Sequence, residues 1–157
     1  MYAAPLTEAV RLERKRCYYD AYHQALKQLL AEKKQRFSKV YFLDLHSYGM
    51  DTGSDAIIGT QFGQTCSAAY STALRTLLEQ EGLRVAENQP FAGGYLTKHY
   101  GADTQIEAAQ IELSYAYYID HRTFGREAFP EICPAVFADA QQHLQSFFKN
   151  LLKEQMI

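Results

Sequence analysis

The sequence predicts an α/β fold, a sheet covered by helices. Segments with apolar residues at a spacing near 3.6 alternate with short apolar or alternating runs. Their order reads helix, strand, loop, helix, strand, Gly-rich loop, strand, helix, which suits layered α/β architecture. A chain of 157 residues is also the right size for a single domain, 1–157, with a real core.

The first helix is expected from about Glu8 to Arg36. Tyr18, Tyr22, Ala25, Leu26, Leu29 and Leu30 recur at helical spacing, Thr7 can cap the start, and the basic KKQR suits the carboxyl end. The apolar run Val40–Leu45 predicts a strand. The Gly-, Ser-, Thr- and Asp-rich SYGMDTGSDAIIGTQFGQT predicts a long loop with a short strand at AII. A second helix is expected over Ser67–Gln80, where Tyr70, Ala73, Leu74, Leu77 and Leu78 form a stripe and Gly82 stops it. LRVAEN reads as a short strand. Pro90, Gly93, Gly94 and Gly101 predict that QPFAGGYLTKHYG holds no regular element. AAQIELSYAYY reads as a strand by its alternation, and a last helix is expected from Pro134, with Phe137, Ala140, Leu144, Phe147, Phe148 and Leu151 on one face.

Composition excludes several classes. A net charge of −2 offers no general attraction to nucleic acid or an anionic membrane. No apolar run approaches the length of a membrane span, and the first residues lack the layout of a signal peptide. Cys17, Cys66 and Cys133 are odd in number and widely spaced, as expected for reduced thiols in a cytoplasmic protein. HExxH, GxSxG, P-loop and GxGxxG signatures are absent.

Three stretches carry chemistry. In VYFLDLHSYG, Asp44 and His46 point to one side of a strand, at whose carboxyl end ligands of α/β sheets gather. His46 suits a metal ligand oriented by Asp44, or a histidine simply hydrogen-bonded at a sheet edge. Glu112 lies in an apolar setting, where a carboxylate is either paired or functional, for instance as a general base. In NQPFAGGYLTKHYG the adjacent glycines permit close backbone approach to a ligand, and Lys98 and His99 suit a carboxylate. A surface loop with unusual dihedrals accounts for the glycines equally well. His23 and His143 fit helical packing or surface positions, and His121 in DHRTFGRE fits a solvated loop.

FLDLHSYG, NQPFAGGYLTKHYG and AAQIELSYAYYID, in this order, resemble the N-formylglutamate amidohydrolases, as do DAIIGTQFGQTCS and YYDAYHQALKQLL. The similarity runs from about Pro5 to Leu152. It implies a mixed sheet flanked by helices, like the zinc carboxypeptidases and aspartoacylases. It also implies hydrolysis of N-formyl-L-glutamate to formate and L-glutamate, in histidine degradation. Under it His46 is a metal ligand, most naturally of zinc, and Glu112 is general base and then proton donor. Asn88, Gly93, Gly94, Tyr95, Lys98 and His99 bind substrate. Lys98 stands where the family often has arginine, and a lysine cannot make the bidentate fork to a carboxylate. The family's front segment, with its Pro-His motif and a downstream acidic residue that supply two more ligands, has no counterpart here. The chain is therefore expected to match the carboxyl-terminal part of the domain. An inactive, truncated relative and a hydrolase of another N-acyl amino acid are the alternatives. Truncation would also leave an exposed sheet edge or apolar face, and with it a tendency to self-associate.

Overall fold

A computed structural model of the chain describes residues 5–119 and 133–153. His121 lies outside the described residues. The chain divides into two compact units, Met1–Val40 and Tyr41–Ile157.

The first unit is helical. α1 spans Glu8–Arg14 and α2 spans Ala21–Arg36, with a π-helical stretch, Lys15–Asp20, between them. Thr7 caps the start, its Oγ1 accepting from Val10 N at 3.5 Å, and Lys33, Lys34 and Arg36 occupy the last turn. There they oppose the negative end of the helix dipole. The π stretch was not foreseen, because the apolar spacing that predicts a helix does not separate i→i+4 from i→i+5 bonding. His23 is buried and packs on Tyr19, ring centroids 4.3 Å apart.

The second unit is built on a four-stranded sheet. Its strands are β1 (Val40–Tyr48), β2 (Ala56–Gly59), β3 (Val85–Glu87) and β4 (Ile106–Ser114), in the order β1-β4-β2-β3. β2 runs parallel to β3, with Ala56 opposite Val85, and antiparallel to β4, with Ile57 opposite Glu112. The sheet is therefore mixed. α3 (Ala68–Gln80) and α5 (Pro134–Lys153) cover one face. There Leu74, Leu77, Leu78 and Phe147 pack on Ala56, Ile58, Ala109 and Ile111. α3 starts where expected: Ser67 Oγ accepts from Tyr70 N at 3.3 Å, and the helix ends before Gly82, whose φ is +83°.

Two expectations need correction. β1 continues through Asp44, Leu45, His46 and Ser47 to Tyr48, so His46 lies inside the strand and not at its end. Among the described residues β1 is the terminal strand of the sheet, a place where polar and charged side chains are common. The Gly-rich segment does hold a regular element, α4 (Tyr95–Tyr100). Gly94 and Gly101 bracket that helix as its caps, and glycines at both ends punctuate a short helix without forbidding it. α4 lies against β4, and Tyr100 meets Phe42 of β1 with ring centroids 5.6 Å apart. No helix among the described residues is long and apolar enough to cross a membrane.

Candidate active site

The strands bring two of the predicted groups together. Side chains alternate across a strand, so Asp44 and His46 share a face of β1, and Gln110 and Glu112 share a face of β4. β1 and β4 are neighbours in the sheet. His46 Nε2 and Asp44 Oδ1 are 3.0 Å apart. Gln110 Nε2 donates to Glu112 Oε1 at 2.6 Å, with both side chains buried. Burial raises the Glu112 pKa above the usual carboxylate range. The nearby His46 and the Gln110 hydrogen bond partly oppose that shift, and the negative charge of Asp44 adds to it. Asp44 Oδ2 is buried and has no hydrogen-bond partner among the described residues.

The Gly93–Gly94 loop reaches the same face. Gly94 N donates to Gln110 Oε1. From the other side, Gln61 N donates to Ala92 O at 2.7 Å and Gln61 Nε2 donates to Gly93 O. Gln61 belongs to a tight turn after β2 in which Gln61, Phe62 and Gly63 have φ of 49°, 57° and 79°. Left-handed backbone at two consecutive non-glycine residues is costly and persists only where the surroundings enforce it. Asn88, itself at φ 56°, is what enforces it. Its Oδ1 accepts from Thr60 N at 2.8 Å and from Phe62 N at 3.2 Å, while Nδ2 donates to Thr60 Oγ1 at 3.1 Å. Asn88 thus spends its side chain in the fold, holding the turn that grips the glycine loop.

The remaining sequence candidates lie on α4. Tyr95, Lys98 and His99 occupy the exposed side of α4, where the Tyr95 and His99 rings stack at 5.1 Å, while Thr97 and Tyr100 face inward. Gln110 and Gln61 were not singled out by the sequence. The signal for Gln110 was present, since it lies two residues before Glu112 on a strand and so must share its face. Gln61 had no such signal.

A cavity of about 480 Å³ opens on the opposite side of the sheet, between β1, the end of β4 and α5. Leu45, Leu113, Phe137, Ala140, Leu144 and Phe148 make most of its wall. Among the described residues no lysine or arginine lines it; His46 does, and Glu112 does not.

His46 fits one position of a metal shell. Asp44 holds its Nε2, and Nδ1 is the nitrogen left for an ion. A catalytic zinc takes about three protein ligands. Among the described residues no group of three or more His, Cys, Asp or Glu side chains could hold a metal ion. These donors alone do not make the shell.

The fold defines a mixed α/β protein, a four-stranded sheet flanked by helices. It superposes on the crystal structure of an N-formylglutamate amidohydrolase from Ralstonia eutropha JMP134 with a TM-score of 0.80 and 24% identity, over 96% of this chain and 56% of that one. The family model for N-formylglutamate amidohydrolase matches residues 1–119, and the chain belongs to that family. It is 30% identical over 110 residues to the N-formylglutamate deformylase of Pseudomonas aeruginosa, an alignment covering 64% of this chain and 41% of that protein. The chain thus spans less than half the length of that curated relative.

Proposed function

We propose that this chain carries the general-base part of an amidohydrolase site acting on N-formyl-L-glutamate, with an architecture like that of the zinc carboxypeptidases and aspartoacylases. The observation that carries the reading is the buried Glu112 carboxylate, held by Gln110 and influenced by Asp44 and His46. A carboxylate whose pKa is raised above the ordinary glutamate value holds a proton more readily than a solvated one, which suits a group that must both take and return it. Glu112 takes a proton from water as the water oxygen bonds to the formyl carbon. It then gives that proton to the amide nitrogen as the C–N bond breaks, leaving formate and L-glutamate. The clamped Gly93–Gly94 loop presents backbone close to this carboxylate, and Lys98 and His99 on the adjoining helix attract the substrate's carboxylates.

A zinc ion at His46 belongs to this proposal only with donors from outside the described residues, which is what favours a second reading. In that reading the chain keeps the fold and a ligand surface without turnover. Formate release from N-formyl-L-glutamate by the zinc-loaded chain and by Glu112→Ala separates the readings. Release by the parent, lost by at least about a hundredfold in the variant, supports the first reading. Equal release by both removes Glu112 as the base. No release by either supports the second.

A further inference from the structure

We propose that Gln110 is a positioning residue that couples the Gly93–Gly94 loop to the Glu112 carboxylate, so that what happens to the loop is felt at the base. The linkage has a fixed polarity. A backbone N–H can only donate, so the Gln110 atom facing Gly94 N must be the amide oxygen, and the amide nitrogen must then face Glu112. One planar amide joins the loop to the carboxylate. Gln110 is 3% exposed and Glu112 is 8% exposed, so water competes little for either bond.

The loop end of the linkage depends on glycine. A Cβ on Gly94 would lie 3.1 Å from Gln110 Oε1, and one on Gly93 would lie 3.2 Å from Thr97 Cγ2. Side chains there would crowd the amide and Thr97 by a few tenths of an ångström, and at Gly93 would also have to adopt φ +109°. Gln61 holds the preceding peptides, Ala92 O and Gly93 O, from the other side. A ligand that draws the Gly94 peptide away releases Gln110 Oε1 and lets its amide turn. The hydrogen bond that favours the ionised form of Glu112 is then lost, and the acid form gains. A ligand that presses the loop inward does the reverse. The consequence for turnover rests on Glu112 being the base, whereas the coupling does not.

The test uses the full chain, with amide exchange at Gly94 and the ¹³C resonance of the Glu112 carboxyl at fixed pH as readouts. Gln110→Met removes both bonds at similar size. Gly94 exchange is expected to quicken roughly tenfold, as for one lost buried hydrogen bond, and the carboxyl resonance to move. Gln110→Glu keeps an acceptor for Gly94 N–H and replaces the amide donor by a second carboxyl beside Glu112, so Gly94 is expected to stay protected. Glu112→Leu removes the far partner, and Gly94 exchange is expected to quicken although residue 112 has no bond to Gly94. A Gln110 that merely fills space and satisfies Gly94 would leave the Glu112 resonance unmoved in Gln110→Met. Unchanged Gly94 exchange in Glu112→Leu would also overturn the coupling. If Gln110→Met does not fold, Glu112→Leu still decides. None of these readouts is turnover, so an inactive chain leaves the coupling standing, and a failed coupling leaves the amidohydrolase reading standing.

Discussion

Asp44 Oδ1 lies 3.0 Å from His46 Nε2, and the other Asp44 oxygen is buried without a hydrogen-bond partner among the described residues. A carboxylate so placed orients the imidazole and adds negative charge beside it, but a single histidine is a weak zinc site. The chain alone is expected to bind zinc weakly. After dialysis against zinc and then buffer, metal analysis should find well under one ion per chain. Tight stoichiometric zinc would contradict this, and its loss in His46→Ala would place it.

The raised Glu112 pKa makes a pH prediction with a definite sign. An acid whose folded pKa exceeds its unfolded value binds its proton more tightly when folded. Its contribution to stability is full below the ordinary glutamate pKa and is lost as pH rises through the raised value. Urea unfolding across this range should show the parent losing stability relative to Glu112→Gln. A difference between them that does not change with pH would refute it.

Asn88→Ala is expected to cost about 2–4 kcal/mol. It removes several hydrogen bonds to residues 60–62 and leaves at φ 56° an alanine, which tolerates the left-handed region less well than asparagine. Asn88→Gly restores the dihedral freedom and should recover part of that cost. The denaturant midpoints of the two variants measure how much of the role is hydrogen bonding.

Gly59 lies at the end of β2, against the glycine loop. A Cβ there would collide with Gly93 N and would sit 2.8 Å from Ala92 C, backbone atoms that cannot swing aside. Gly59→Ala is expected to destabilise by about 1–3 kcal/mol, as overpacking does, and to raise amide exchange through residues 92–94. A fully stable variant with unchanged loop protection would show that the loop has slack.

β1 is the terminal strand of the sheet beside β4, and Leu45 on it is 56% exposed. Phe137, across the apolar cavity, is 45% exposed. An edge strand with apolar side chains invites pairing with a second copy. Self-association that rises with concentration is expected in light scattering, and Leu45→Lys should reduce it. A parent that stays monomeric at high concentration would count against this.

Much of the element order was legible in the sequence because it depends on local periodicity and punctuation. The stripe Tyr70, Leu74, Leu77 and Leu78 faces the core as its spacing requires, Ser67 and Thr7 cap their helices, and Pro134 opens α5. The pairing of Asp44 with His46 followed from the two-residue period of a strand. α4 was missed because its bracketing glycines were read as breakers when they are caps.

By itself the sequence determined most of the strands and helices, the shared face of Asp44 and His46, and the presence of a carboxylate in an apolar run. These are properties of neighbouring residues, set by backbone geometry and the hydrophobic pattern. Only the tertiary structure decided that β4 lies between β1 and β2, which puts Glu112 within reach of the charges on Asp44 and His46. Only it showed that Gln110 joins Glu112 to Gly94, and that Asn88 serves the turn at 60–62. Those contacts span 16 and 28 residues of chain, and strand order and loop closure, which local spacing does not encode, bring them together.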